Sequence, residues 1–320
     1  MKGDVVRDIL TVTLNPALDL ATSAPQVRPN EKLRCTQPDP DPGGGGLNVA
    51  RAIHQLGGTA RPFVALGGNT GDTVQQLLEK AGLDIIAYDA PGDTRQSLAV
   101  TDLSTSEQFR FMLAGPDWNA AQLQAMRMSL VSVTQPNGFV VLSGSGPNGA
   151  APDLYAEICQ DLSQTDAEIL IDTSGPALAH LAAGQDRPPF MLRMDQREAE
   201  TLARRPLVTR KDSADFAKYL VDQGAARTVI VARGRDGSVL ADGQQQLRVN
   251  AANVEVRSRV GAGDSFLGGL TMALARDLPM EDAFRYGAAA ASAACMTEGT
   301  QLCLLSDFEN VLLQTQIETL

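Results

Sequence analysis

Arg259-Val260-Gly261-Ala262-Gly263-Asp264-Ser265-Phe266, continued by Leu267-Gly268-Gly269-Leu270-Thr271-Met272-Ala273-Leu274, reads as a glycine turn that opens an apolar helix. The free backbone N–H groups of such a helix N-terminus suit an anion. Asp264 falls in the first turn, where a carboxylate favours the helix dipole and stands as a base beside the anion's place. An anion cradle and a base within four residues are what phosphoryl transfer needs, because its catalysis is mostly positioning and charge stabilisation. The plainer alternative is a helix start with ordinary glycine and aspartate capping.

Outward from this segment the chain alternates. β-Branched apolar runs at residues 9–14, 63–66, 139–142, 168–171 and 228–231 read as strands. Helical periodicity marks residues 47–56, 72–80, 152–162, 195–203 and 213–223 between them. That order predicts an α/β fold with a mostly parallel sheet and helices on both faces. Two regions break the rhythm. Residues 17–42 are polar and proline-rich, and residues 95–113 hold two alternating runs joined by Leu103-Ser104-Thr105-Ser106-Glu107, a hairpin signal. These antiparallel excursions are expected to form a small separate sheet over the mouth of the main one. Internal repeats, heptads and long low-complexity stretches are absent from the sequence.

The length of 320 residues allows one large α/β domain or two smaller ones. With 43% hydrophobic and 20% charged residues the composition is that of an ordinary soluble globular protein. A formal net charge of −11 argues against a general nucleic-acid binder or a binder of anionic membranes. An anionic substrate then needs a local basic cluster. The four cysteines show no CxxC spacing and the two histidines lie far apart, so a zinc or redox site is not expected. Met1 to Asp8 carries charges where a secretory leader needs an apolar core, and no apolar run approaches a membrane span. Together these give the expectation of a cytoplasmic protein.

Three further constellations stand out. Asp41-Pro42-Gly43-Gly44-Gly45-Gly46-Leu47-Asn48-Val49-Ala50-Arg51 puts four glycines ahead of a helix, which allows close approach to a ligand. It does not fit G-x-G-x-x-G, no strand signal directly precedes it, and no G-x-x-x-x-G-K-[ST] occurs anywhere. A flexible linker is the alternative. Leu14-Asn15-Pro16-Ala17-Leu18-Asp19 follows the first strand, so Asp19 is read at a carboxyl strand end, suited to a hydroxyl, or else as a turn residue. Lys32, Arg34, Arg95 and Arg110 are dispersed cations in or beside the two excursions, in a chain with only 5 lysines. Arginine suits bidentate phosphate contact, whereas each cation alone reads as solvated surface charge.

Taken together these segments resemble the PfkB (ribokinase-like) family of sugar kinases, essentially end to end. The most specific part is Val260-Gly261-Ala262-Gly263-Asp264-Ser265-Phe266. Lys32-Leu33-Arg34-Cys35-Thr36, the glycine run through Ile53, Thr94-Arg95-Gln96, Glu107-Gln108-Phe109-Arg110-Phe111 and Ser143-Gly144-Ser145 are similar to the minor 6-phosphofructokinase branch. The resemblance implies a ribokinase-like three-layer α/β fold over residues 1–320, with a β lid inserted from about 17–42 and 95–113. It implies an ATP- and Mg²⁺-dependent kinase of a hexose phosphate and a homodimer formed through the lid. Fructose 6-phosphate is the implied substrate, with tagatose 6-phosphate and fructose 1-phosphate as rivals. A sugar-phosphate binder without turnover is the alternative of another class.

By matching position, Asp264 takes the proton of the sugar hydroxyl while Gly261, Ala262 and Gly263 hold charge on the transferred group. Asp19, Gly44 and Asn48 bind sugar hydroxyls, and Lys32, Arg34, Arg95 and Ser145 bind the existing phosphate. Arg193, Arg233, Gly234, Gly237, Ala291, Ala294 and Thr297 face the nucleotide, and Glu198 supports Mg²⁺ through its water shell. The chain departs from the family at Arg193-Met194-Asp195, where Lys-Pro-Asn is usual. There Asp195 is expected either to bind metal more directly or to repel the nucleotide. Gly146-Pro147-Asn148-Gly149 and Arg233-Gly234-Arg235-Asp236-Gly237 are the other departures.

Overall fold

In the computed structural model, which describes residues 6–320, the five apolar runs form the centre of one sheet. Residues 1–5, part of the charged N-terminal stretch read above, lie outside the described residues. In chain order the strands are β1 (Ile9–Thr13), β2 (Ala17–Ala24), β3 (Asp39–Gly43), β4 (Arg61–Leu66), β5 (Ile86–Asp89), β6 (Arg95–Asp102) and β7 (Gln108–Met112). They continue with β8 (Phe139–Ser143), β9 (Glu168–Asp172), β10 (Met191–Asp195), β11 (Thr228–Ala232), β12 (Ser238–Asp242), β13 (Gln246–Val249) and β14 (Ile317–Thr319). The large sheet has ten strands in the order β14-β13-β12-β11-β10-β9-β8-β1-β4-β5. From β11 to β5 all neighbours are parallel, and β12 to β14 extend one edge antiparallel.

Successive strand residues point to opposite faces, and both faces are apolar, as a sheet covered on two sides requires. Leu10, Val12, Val140, Leu142, Ile169, Ile171, Leu192 and Met194 face a layer that includes the helices Ala120–Val133, Leu154–Leu162 and Arg210–Asp222. The alternate residues Ile9, Phe139, Val141, Leu170, Met191 and Ile230 face the helices Gly45–Gln55, Ala262–Ala275 and Met280–Ala294. The result is the three-layer α/β arrangement expected from the sequence. No helix of the described residues is long and apolar enough to cross a membrane.

The two irregular regions form one four-stranded sheet, β3-β2-β6-β7. Its outer pairs are antiparallel, but β2 and β6 run parallel in register from Ala17↔Arg95 to Ala24↔Asp102. The excursions therefore merge through a parallel seam instead of pairing only within themselves. No strand signal stands ahead of the glycine run in the residues, yet Asp39–Gly43 is β3. Pro40 and Pro42 are tolerated there because β3 is an edge strand, with donors to spare only on one side.

Candidate active site

At the carboxyl ends of the parallel strands the apolar rows give way to polar residues. Ser143 pairs in register with Asp172, and Asp172 with Arg193, across β8, β9 and β10. All three lie on the face covered by the helices Gly45–Gln55 and Ala262–Ala275, continuing the rows of Val141, Leu170 and Met191. The Arg193 guanidinium is buried and donates to the Asp172 carboxylate. Such a strand-end crevice is where open α/β sheets bind ligands.

Asp264 lies over this row. Its helix, Ala262–Ala275, begins at Gly261 with φ of 74°, a left-handed conformation, and a Cβ there would lie 2.3 Å from Leu302 Cδ2. Asn48 Nδ2 donates to Asp264 Oδ2 at 3.0 Å, and Ser143 Oγ donates to Oδ1 at 3.5 Å. Burial pushes the Asp264 carboxyl up to about 7; Asn48, Arg193 and Ser143 oppose that rise, and Asp172 adds to it. A carboxylate tuned near neutral pH, at a helix start, is suited to accept a proton. Beside it, a Cβ on Gly263 would meet Arg193 Nη1 at 3.0 Å, so a side chain there would push that guanidinium aside by a few tenths of an ångström. The Ala262 N–H makes a long 3.4 Å bond to the Arg259 carbonyl.

The glycine run is not a linker. A Cβ at Gly43 would fall 2.2 Å from Asp19 Oδ2, at Gly45 2.3 Å from Ser143 Oγ, and at Gly46 2.3 Å from the Val12 carbonyl. The main chain is pressed onto the strand ends, and Gly44 caps the helix Gly45–Gln55 that carries Asn48. The Leu47 N–H is held by Thr13 Oγ1 at 2.8 Å.

Asp19 belongs to β2 of the four-stranded sheet and not to the end of the first strand of the large sheet, because β1 stops at Thr13. Ser97 and Met112 share its register row, and Arg95 and Arg110 lie on the same face. Burial raises the Asp19 carboxyl against the hydrogen bond of Ser97 and the charges of Arg95 and Arg110, while Asp41 adds to the rise. Arg95 donates through Nε to the Asn15 carbonyl at 3.3 Å and through Nη1 to Ser97 Oγ at 3.4 Å. Asn15 Nδ2 donates to Ser145 Oγ at 3.1 Å, so Asn15 links two predicted phosphate contacts. Lys32 and Arg34 sit in the exposed segment between β2 and β3 and are not bonded to this cluster.

On the other side of Gly263 opens a cavity of about 750 Å³. Arg193, Arg233, Gly234, Gly237, Ala262 and Ala291 line it, together with Arg235 and Arg259. Two predicted residues do not: Ala294 is fully buried, and Thr297 turns its hydroxyl to the carbonyls of Ala294 and Leu302. Arg233 reaches the wall, but its guanidinium is already bonded to the carbonyls of Leu207 and Val208 and to the Ser213 hydroxyl.

The unusual Asp195 proves to be a helix cap. Its Oδ1 accepts the Glu198 N–H at 2.8 Å, and Glu198 Oε2 accepts the Asp195 N–H at 2.8 Å, a reciprocal capping box that starts the helix Gln196–Ala203. Neither direct metal binding nor repulsion of a nucleotide is needed to account for it. Burial raises the Glu198 carboxyl, opposed by the Asp195 N–H. Among the described residues no group of three or more His, Cys, Asp or Glu is placed to hold a metal ion. Ser143 and Asp172 carried no role in the sequence reading. Their signal was a polar residue closing each apolar strand run.

The sequence profile described as pfkB family carbohydrate kinase matches residues 12–307. The ATP-dependent 6-phosphofructokinase isozyme 2 of Mycobacterium tuberculosis is 36% identical over 301 residues, covering 94% of this chain and 88% of that protein. The protein of the same description from Escherichia coli is 35% identical, covering 95% of this chain and 97% of its own. A crystal structure of the Escherichia coli phosphofructokinase-2 in complex with fructose 6-phosphate superposes with a TM-score of 0.87 at 33% identity, covering 96% of this chain and 99% of that one.

Proposed function

The chain belongs to the pfkB family of carbohydrate kinases and is an ATP-dependent sugar kinase, and we propose that it phosphorylates fructose 6-phosphate at its C1 hydroxyl. The products are fructose 1,6-bisphosphate and ADP. The observation that carries this reading is the place of Asp264. It is bonded to Asn48, five residues after Gly43, which packs against Asp19, and it follows Gly263, which lines the large cavity.

The Asp264 carboxylate takes the proton of the C1 hydroxyl as that oxygen bonds the γ-phosphorus and the bond from phosphorus to the bridging oxygen breaks, releasing ADP. The main-chain N–H groups from Gly261 to Gly263 face the charge on the transferred group, and Arg193 lies directly beneath Gly263. Asp19, Gly44 and Asn48 take the sugar hydroxyls. Arg95 and Ser145, with Lys32 and Arg34, take the 6-phosphate, against which the net charge of −11 makes a local cluster necessary.

Mg²⁺ fits this site as an ion that keeps most of its water and binds through few carboxylates. Glu198, whose Oε1 accepts no bond from a described residue, is the residue we assign to its water shell. When bound, the ion supplies charge neutralisation across the nucleotide phosphates.

We assign a homodimer formed through the lid, because its outer strand β7 leaves Phe109, Phe111 and Met112 exposed with Leu103 and Leu113 beside them. A cytoplasmic location is consistent with the free Cys35, Cys159, Cys295 and Cys303.

ADP release measured over fructose 6-phosphate, tagatose 6-phosphate and fructose 1-phosphate tests the assignment. The highest kcat/KM is expected for fructose 6-phosphate. A preference for either rival would replace the substrate, and binding without ADP release would leave only a sugar-phosphate binder.

A further inference from the structure

Arg51 belongs to no part of the assigned machinery, yet it makes the densest polar contact next to it. Its Nη1 and Nη2 donate to Asp41 Oδ2 and Oδ1, each at 3.0 Å, and Nη1 also donates to the Pro42 carbonyl at 3.2 Å. The same Nη1 donates to Asn48 Oδ1 at 3.3 Å. Residues 48 and 51 are three apart on the helix Gly45–Gln55 and so share one face. The pair is largely covered, with side-chain exposures of 14% for Arg51 and 28% for Asp41. A bidentate, charge-assisted contact of this kind fixes geometry as well as adding energy.

We propose that Arg51 is a positioning residue for the catalytic base, and that its pair with Asp41 ties the aim of that base to the seating of the lid's edge strand. An amide has one accepting and one donating end, and arginine only donates. The Asn48 oxygen must therefore face Arg51, which leaves the amide N–H to face Asp264, as found at 3.0 Å. Asp41 lies in β3, in register with Asp19 of β2. A continuous path thus runs from the lid edge through Arg51 and Asn48 to Asp264. Once Arg51 is removed, the Asn48 amide is free to turn when Asp264 is protonated and accept the acid's O–H through its oxygen, which favours the protonated form. The other polar and charged groups facing Asp264 are Ser143 on β8, Asp172 on β9 and Arg193 on β10. None of them is bonded to Arg51, so they stay as they are.

The inference rests on the reading of Asp264 as the base, and two measurements keep the two apart. The first is the kcat–pH profile of the wild type, Arg51→Met, Arg51→Lys and Asp41→Asn. The second is a direct titration of the Asp264 side-chain carbon by NMR in the same proteins, with thermal unfolding as the check on folding. In Arg51→Met the acid limb of kcat and the titration midpoint both move up by about one pH unit, so that kcat at pH 6 falls about tenfold. Asp41→Asn moves both in the same direction by less, Arg51→Lys falls between, and KM for ATP does not change. If the titration moves while kcat never depended on Asp264, the base reading fails and only the setting of the Asp264 carboxyl by Arg51 stands. Unmoved titration and kcat in folded Arg51→Met or, where that variant does not fold, in Asp41→Asn, overturn the proposal.

Discussion

Asn48 and Asp264 stand 216 residues apart in sequence and are joined by a 3.0 Å hydrogen bond from the amide to the carboxylate. The bond locks the first turns of two helices together, one entered through the glycine run and the other through Gly261. It also moderates the effect of burial, which still leaves the Asp264 carboxyl at about 7.

Activity should follow the ionisation of that carboxylate. Only the deprotonated form accepts the hydroxyl proton, so kcat/KM is expected to rise with pH, reach half its maximum at about 7 and level off above. Stability runs the other way. A carboxyl raised above its unfolded value near about 3.9 contributes stability that is present below that pH and lost as pH rises through about 7. Asp264→Asn should therefore unfold at a higher temperature than the wild type at pH 8, with the gap closing towards pH 4. A kcat/KM that is flat from pH 5 to 9 would contradict the assignment of the base.

Arg95 faces the same side of the lid as Asp19 and is braced by Asn15 and Ser97. Its loss should remove a charge-assisted contact of about 1.5–3 kcal/mol to the substrate phosphate. Steady-state kinetics of Arg95→Ala should show KM for fructose 6-phosphate raised about ten- to a hundredfold, with far less change for fructose. Equal effects on both sugars would remove Arg95 from phosphate binding.

Asp195 is a cap, so its replacement should be read in stability before it is read in kinetics. Asparagine caps as well as aspartate, and Asp195→Asn should leave the unfolding temperature and KM for ATP close to those of the wild type. Asp195→Ala should cost about 1 kcal/mol by denaturant unfolding. A large change in KM for ATP in Asp195→Asn would show that the charge itself acts on the nucleotide.

The lid strand β7 exposes all five of its residues, and Phe111 is 51% exposed. If that surface is covered by a second copy, Phe111→Asp should shift the protein to monomer in analytical ultracentrifugation. A wild type that is monomeric at micromolar concentration would contradict the lid dimer.

Much of this was legible in the residues because backbone requirements leave marks. The run from Gly43 to Gly46 and the turn at Gly261 are glycine because a Cβ has no room there, so the site's main-chain half could be read directly. The apolar strand runs likewise announced the parallel sheet. Side-chain partnerships between separate segments left no such mark. The box of Asp195 and Glu198 is local and stood in the sequence as Asp-x-x-Glu at a helix start, but that Arg233 turns to Leu207 and Val208, and that Asp172 pairs with Arg193, depend on contacts between distant segments. Residues 39–43 were missed as a strand because proline masks the pattern at a sheet edge, where the missing N–H goes unnoticed.

The most direct test of the central claim is phosphorus NMR of fructose 6-phosphate incubated with ATP and Mg²⁺, comparing the wild type with Asp264→Asn. Fructose 1,6-bisphosphate should form with the wild type, and its rate should drop by about 10²–10⁴-fold in the variant while fructose 6-phosphate still binds. Product formed at the wild-type rate by Asp264→Asn, or a new phosphate at any position other than C1, would contradict it.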